Sequence, residues 1–249
     1  MDSWPMDLCA RRTAKDKLVL YPMLDPYIQI IKNYPESYLS DLFLLLALGT
    51  GLVNYAYLNT QTRWLFRMLI LSLIITIAQT HHAAFRQNNL YLYNLNSLIE
   101  MGCLTICYSI ELQSSKKRWI LWAGFSMYLL VFLYDFSWTQ IAGIALAMQR
   151  LIMIVYALLY FHIILIRMQI QNLLTHSMFW VSAGAVIHAA GTLFVFLFIK
   201  VTLGDLSPNG SYHLYITVVM IFLAFFYIIL LVSFWLRRRE VKLANRLTV

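Results

Sequence analysis

Seven long apolar segments dominate this chain and leave few folds open to it. They lie at about residues 38–58, 64–82, 90–112, 119–136, 140–166, 177–201 and 212–236. As an α-helix, which rises about 1.5 Å per residue, each is long enough to cross roughly 30 Å of bilayer hydrocarbon. The connections between them are short, so successive helices should be antiparallel neighbours. The sequence therefore predicts an all-α fold, a polytopic transmembrane bundle of seven helices.

Composition indicates a lipid environment and argues against a water-soluble domain. Hydrophobic residues make up 61% of the sequence and charged residues only 12%. Soluble domains usually carry about 25% charged residues. The net charge of +8 does not indicate a nucleic-acid partner, because the basic residues sit at the ends of the apolar segments. The lipid bilayer is therefore the expected partner, and nucleic acid is not.

One membrane domain, residues 37–237, is predicted between two polar ends. Residues 1–36 are expected to be a poorly ordered tail, in which a basic run is followed by Pro22, Pro26 and Pro35. No apolar core follows that run, so the tail is not expected to be a signal peptide. The sequence leaves open whether Met1, Met6 or Met23 is the start. Residues 238–249 form a predicted basic cytoplasmic tail.

The basic residues between the apolar segments predict the orientation. With the C-terminus in the cytoplasm, the outside loops hold only Arg86 and Lys200, and the N-terminal tail adds five basic residues. The inside segments then hold eleven: Arg63, Arg67, Lys116, Lys117, Arg118, Arg167, Arg237, Arg238, Arg239, Lys242 and Arg246. Cytoplasmic loops of membrane proteins carry such an excess. We therefore expect a cytoplasmic C-terminus and, with seven spans, an N-terminus outside.

The third apolar segment carries polar side chains, among them Asn96 and Glu100. An acid near the middle of a spanning helix costs roughly 2.5–3.5 kcal/mol on insertion scales unless it finds a partner or is neutralised. Each of three ionisable residues lies ten residues after the point where its segment enters the membrane. Glu100 is counted from Leu90, Arg150 from Gln140 and His188 from Met178. Ten helical residues correspond to a depth of about 15 Å. We therefore predict that these three side chains meet in one layer inside the bundle.

Two interpretations of this layer remain open. It is either a buried Glu–Arg pair that fixes how the helices pack, or a site for a ligand, a proton or an ion, since intramembrane charges usually line a pathway or pocket. Asn96 and Gln149 complete the predicted polar core. In the sixth segment Gly184 and Gly191 share a face with His188. Small residues on such a face let a neighbouring helix approach closely.

A second polar set is predicted to form the outer rim of the bundle. Histidine and carboxylate together raise the question of zinc. The two histidines are adjacent, however, and point about 100° apart on a helix, so no metal site is predicted. The predicted rim residues are Asp41, Gln79, His81, His82, Tyr93 and Asp135.

Sequence signatures of enzymes are missing from the chain. It contains no nucleophile-elbow, zinc-peptidase, phosphate-loop or dinucleotide motif. The seventh segment has no lysine that could hold retinal. Cys103 and Cys107 are four residues apart on one helix, which rarely suits a disulfide, and are expected to be reduced. We predict no cofactor and no catalytic residue, and an enzymatic role is not the favoured one.

Three short strings resemble a broad group of uncharacterised seven-helix membrane proteins of Bacteroidota. They are NNLYLYNLNSLIE in the third segment, LLYFHIIL at the end of the fifth and MFWVSAGAVI at the start of the sixth. The resemblance covers most of residues 38–236 and implies the same architecture in a bacterial inner membrane. That group often carries an acid in the fifth segment where this chain has Gln149-Arg150. The resemblance implies no particular chemistry.

These observations together favour a receptor-like or sensory role. The 13 residues after Leu236 are too few for an output domain. We therefore expect a signal to pass to a separate cytoplasmic or membrane protein at the basic cytoplasmic face, with a small-molecule or lipid ligand in the polar layer. The alternative is a small membrane enzyme or a transporter that uses Glu100, Arg150 and His188.

Overall fold

A computed structural model describes residues 27–28, 35–112, 115–167, 173–205 and 211–247. Within these ranges the chain forms seven long α-helices and no strand. Two 3₁₀ turns, Tyr55–Tyr57 and Leu173–Thr175, lie in connections between helices. The helices are α1 (Pro35–Val53), α2 (Thr60–Ala84), α3 (Leu90–Glu111), α4 (Ser115–Asp135), α5 (Gly143–Arg167), α6 (Ser177–Asp205) and α7 (Ser211–Leu247).

The seven helices form a closed ring. Each helix packs on the next one in sequence, α7 returns to α1, and α3 also touches α5 across the ring. Contacts at the two ends show that successive helices run in opposite directions. At one end, which we call the basic end, the turn between α1 and α2 contacts the last turns of α7 through Tyr57 and Arg238. At the opposite end, His82 near the end of α2 lies beside Tyr91 at the start of α3.

The all-α prediction is confirmed, but only four described helices are both long and apolar enough to cross a membrane. These four stretches are Thr60–Ala84, Gly143–Ile166, Ser177–Phe198 and Ile216–Leu243. The sequence had predicted seven spans. α3 carries Glu100 and two asparagines within its length, α4 begins with a basic run, and the apolar part of α1, Tyr38–Val53, is short. α1 is therefore separated from the other four by its length, and α3 and α4 by their polar or charged residues.

Helix α6 packs closely on α7 through the small-residue face predicted from the sequence. A Cβ atom at Gly184 would lie 2.8 Å from Ile229 Cγ2, and one at Gly191 would collide with the Phe222 ring. Between these two glycines the His188 ring stacks on Phe226, with ring centroids 5.3 Å apart. The three contact residues of α7 follow the i, i+4, i+7 spacing of one helix face. The glycines therefore set the distance at which His188 meets α7.

The polar ends of the chain are described only in part. Tyr27 lies against the end of α2, where its hydroxyl is 2.9 Å from His81 Nδ1 and its ring packs on Phe85. The rest of the predicted tail before Pro35, including Cys9, lies outside the described residues, apart from Ile28. At the other terminus α7 continues to Leu247, so residues 238–247 are the last turns of a helix. Cys103 and Cys107 are buried and free, as predicted.

The close approach of α6 and α7 predicts a specific loss of stability. Gly191→Ala should lower the melting temperature of the detergent-extracted protein, because overpacking a close contact typically costs about 1–3 kcal/mol. Adding Phe222→Leu should restore part of the loss, because it removes the ring that the new methyl group meets. Gly49→Ala is the matched control, since a Cβ there has no neighbour within 4 Å. An equal loss at Gly49 would contradict the packing argument.

Candidate functional site

Glu100 and Arg150 form an ion pair in the interior of the bundle. Arg150 Nη1 on α5 donates to both carboxylate oxygens of Glu100 on α3, at 3.2 Å and 3.1 Å. The two side chains are 5% and 9% exposed. The predicted contact is therefore present. A buried carboxylate loses its hydration, and direct donation from a guanidinium compensates for part of that loss.

Gln149 adds a second donor to the same carboxylate. Its Nε2 atom donates to Glu100 Oε2 at 2.9 Å and to the backbone carbonyl of Ser97 at 3.1 Å. Two consecutive residues of α5 therefore hold one acid of α3. Because Ser97 lies one turn before Glu100, the amide of Gln149 also fixes the rotation of α3 relative to α5.

His188 brings α6 to the same level. Its Nε2 atom lies 3.9 Å from Glu100 Oε1, and the imidazole is fully buried. Neither ring nitrogen makes a hydrogen bond of good geometry with a described residue. The side chain is instead held by the face-to-face contact of its ring with Phe226. Glu100, Arg150 and His188 thus come together as predicted, from α3, α5 and α6.

Several polar atoms of the predicted core are buried and lack a hydrogen-bond partner within the described part of the chain. They include donors and acceptors: Asn96 Oδ1, Gln149 Oε1 and Arg150 Nε. Such atoms are uncommon in folded proteins, because burial of an unpaired polar group costs about 1–3 kcal/mol. Each of these atoms therefore requires an explanation. A hydrogen bond to a polar ligand or to water would provide it.

Apolar side chains of α5 and α6 pack against Arg150. The guanidinium carbon of Arg150 lies 5.5 Å from the centre of the Phe196 ring, and Arg150 Nη1 is 3.2 Å from Met153 Sδ. The Tyr93 ring in turn packs 6.2 Å from Phe196. Tyr93 was expected in the outer rim, but the structure places it beside the aromatic neighbour of Arg150.

The loop between α4 and α5 is tied to α3 by Asn94, a role that the sequence analysis missed. Asn94 Nδ2 donates to the carbonyls of Ser137 and Gln140 at 3.1 Å and 3.0 Å, and its Oδ1 accepts from the Ala142 amide at 3.0 Å. All three hydrogen bonds satisfy backbone groups of an irregular segment. The signal that the sequence offered was an asparagine within an apolar segment, one turn before Ser97.

Asp135 closes the start of α5. Its Oδ2 atom accepts from the backbone amides of Ile144 and Ala145 at 2.9 Å and 3.2 Å. A carboxylate at this position satisfies amides that have no partner within the helix and interacts favourably with the helix dipole. Asp135 was predicted to lie in the outer polar rim, and the structure gives it this capping role.

The other predicted rim residues do not form one cluster. His81 contacts Tyr27 and Phe85, with its ring centroid 4.8 Å from that of Phe85. The Nε2 atom of His82 lies 3.5 Å from the Tyr91 hydroxyl. The backbone carbonyl of Gln79 accepts from Asn89 Nδ2 at 3.3 Å, and Asp41 is half-buried near the start of α1. In the described ranges no three His, Cys, Asp or Glu side chains converge in a geometry suited to a metal.

A second polar cluster, at the basic end, was not predicted. Glu240 of α7 accepts from the Ser177 amide at 2.8 Å and from Arg237 Nη1 at 2.7 Å. His176 lies between two acids, with its Nδ1 atom 3.0 Å from Glu240 and its Nε2 atom 3.9 Å from Glu111. Glu111 also accepts from Gln61 at 2.9 Å. This cluster joins the starts of α2 and α6 to the ends of α3 and α7.

Comparison with known protein families, with characterised proteins and with solved structures finds no match to this chain. The site must therefore be interpreted from its own geometry.

The ion pair predicts non-additive effects on stability. Glu100→Gln should destabilise the protein by about 3–5 kcal/mol, because it leaves Arg150 buried without a counter-ion. The double variant Glu100→Gln, Arg150→Gln should recover part of that loss. Thermal unfolding of the purified protein in detergent measures all three variants.

Glu111 provides the matched control for this cycle, because it lies on the same helix but contacts Gln61 and His176. Combining Glu111→Gln with Arg150→Gln should give the sum of the single effects. Additive behaviour of Glu100 and Arg150 would contradict their coupling.

Proposed function

We propose that this protein is an integral membrane protein with a receptor-like or sensory role, which binds a small molecule or lipid at the polar layer. One observation carries the proposal: the layer combines a buried ion pair with donors and acceptors that find no hydrogen-bond partner among the described residues. Signalling then proceeds through a separate cytoplasmic or membrane protein. The proposal rests on the chemistry of the layer, and the identity of the ligand is not part of it.

A seven-span architecture is part of the proposal. Four helices meet the length and apolarity required for spanning, and α1, α3 and α4 complete the same closed ring. A ring with only four of its members in the bilayer would expose the apolar faces of the other three to water. Loop charges favour a cytoplasmic C-terminus and an external N-terminus. The short strings described above favour a bacterial inner membrane and the Bacteroidota group.

Continuity of the helices favours a receptor over a transporter with broken helices. Many transporters place their sites at interruptions within spanning helices. Here α2, α5, α6 and α7 are each uninterrupted across their apolar stretches. α7 is 37 residues long, which corresponds to roughly 55 Å, and it carries both Phe226 beside His188 and Glu240 at the basic end. A shift of this helix at the polar layer would therefore move the basic end directly.

A transporter or an enzyme is the second candidate, and the position of His188 favours it. A protonated His188, 3.9 Å from Glu100, would compete with Arg150 for the same carboxylate. Exchange of partners around one acid is a mechanism by which a proton can be coupled to movement of a second species. The candidates differ in access: a receptor or an enzyme admits its ligand from one side, whereas a transporter opens to both.

The topology has a direct test. Reporter fusions at Val249 and within residues 204–211 should give cytoplasmic and external signals respectively, because eleven basic residues lie on the C-terminal side, against two in the opposite loops and five in the N-terminal tail. Alkaline phosphatase and green fluorescent protein distinguish the two compartments. A cytoplasmic signal from the 204–211 fusion, with an external one from Val249, would contradict the proposed orientation.

Access to the polar layer separates a transporter from a receptor. In a variant with all three cysteines replaced by alanine, Asn96→Cys would place one thiol in the polar core. A receptor should be labelled there by a charged, membrane-impermeant thiol reagent from the external side only. Right-side-out and inverted vesicles provide the two measurements.

Leu95→Cys is the matched control, because Leu95 is on the same helix at the same depth but is 40% exposed on the outer surface of the ring. A lipid-facing thiol should resist the charged reagent from both sides. Labelling of Asn96→Cys from both sides would favour the transporter, and no labelling from either side would contradict ligand access to the layer.

A further inference from the structure

Four arginines at the basic end lie against aromatic rings. We call them the arginine patch: Arg63, Arg67, Arg238 and Arg239. The guanidinium carbon of Arg67 is 4.6 Å from the centre of the Trp64 ring, and that of Arg239 is 3.7 Å from the Trp235 ring. Four such contacts at one end of one bundle exceed what chance would give, since significant cation–π pairs occur about once per 70–80 residues.

The patch is continuous across three elements. Arg63 lies over Tyr55 and Arg238 over Tyr57, at 5.4 Å and 5.6 Å, so both use the 3₁₀ turn between α1 and α2. The Tyr55 ring also packs 5.5 Å from that of Phe66 on α2. The turn therefore brings Arg63 of α2 and Arg238 of α7 together, while Arg67 lies one turn beyond Arg63 and Arg239 next to Arg238.

These arginines have no carboxylate partner among the described residues. The acids of the basic end are otherwise engaged: Glu240 pairs with Arg237 and His176, and Glu111 contacts His176 and Gln61. Arg63, Arg67 and Arg239 are exposed, and Arg238 is half-buried. The patch consequently carries a concentrated positive charge that no carboxylate in the described part of the chain neutralises.

The stacking leaves the hydrogen-bond donors of the guanidinium groups available. A guanidinium carries its five N–H donors in its own plane, and an aromatic ring covers a face of that plane. An arginine held in this way can still donate two parallel hydrogen bonds to a phosphate. The rings thus fix the orientation of the cations without occupying their donors.

The position of the patch favours a lipid headgroup as the phosphate that these arginines would bind. On α2, Arg63 and Arg67 continue the helix face on which Ile70, Ile74 and Ile77 are exposed, at the spacing i, i+4, i+7, i+11, i+14. An apolar face that ends in arginines and tryptophans matches the change from acyl chain to headgroup in a bilayer.

α7 shows the same pattern. Its exposed residues Ile221, Phe225 and Trp235 share a face that ends at Arg239. Two helices therefore bring their cations to the level at which their lipid-facing surface ends. We propose that the arginine patch binds the phosphate headgroups of anionic phospholipids in the leaflet at the basic end. This inference does not depend on the proposed receptor role or on the orientation.

Lipid titration of the full-length purified protein tests the proposal. Native mass spectrometry from mixed micelles should show tighter binding of phosphatidylglycerol than of phosphatidylcholine. Arg67→Gln with Arg239→Gln should weaken phosphatidylglycerol binding by about fivefold for each arginine removed. Arg86→Gln is the control, since Arg86 is exposed at the opposite end, and it should leave binding unchanged. Melting temperatures in phosphatidylcholine micelles show that each variant is folded.

A second variant separates oriented arginines from charge alone. Arg67→Lys with Arg239→Lys keeps the charge but removes the planar donors, and it should lose part of the phosphatidylglycerol preference. Binding equal to that of the wild type in either double variant would overturn the proposal. So would an equal loss on Arg86→Gln. Binding of poly-glutamate to the patch without any preference for phosphatidylglycerol would make it a surface for acidic proteins and would also overturn the proposal.

Discussion

The burial of one carboxylate, that of Glu100, decides how α3, α5 and α6 can pack. Arg150 and Gln149 supply donors to it, and His188 lies beside it. Removal of the pair from water offsets most of its Coulomb attraction, so the pair adds little net stability. Its effect is on specificity: any other rotation of α3 or α5 leaves a charge unpaired in an apolar interior. The pair thus selects one arrangement among many that would bury similar apolar area.

The depth of the polar layer could be predicted because helix geometry converts residue number into height. This argument placed Glu100, Arg150 and His188 at one level. The direction in which a side chain points was harder to predict than its depth, because residue number does not give the rotation and tilt of a helix. His82 and Asp135 therefore share an end of the bundle but have different partners, Tyr91 and the amides of α5.

Contacts between distant parts of the chain could be predicted only where a shared depth indicated them. Glu240 and Ser177 are 63 residues apart, and nothing near either residue indicates their hydrogen bond. The same holds for Asn94 and the loop before α5, because irregular backbone has no periodicity to read. The three helices that fall short of the spanning criterion show a related limit: side chains that lower the apolarity of α3 are those that pack inside the ring.

The separation of Glu100 and Arg150 along the chain has a consequence for biosynthesis. The acid is made 50 residues before its counter-ion. At roughly 5–20 residues per second, about 3–10 s pass before the ribosome completes Arg150. During that interval the carboxylate lacks Gln149, Arg150 and His188, because all three lie later in the chain. The final packing of α3 therefore has to wait until α5 and α6 have been made.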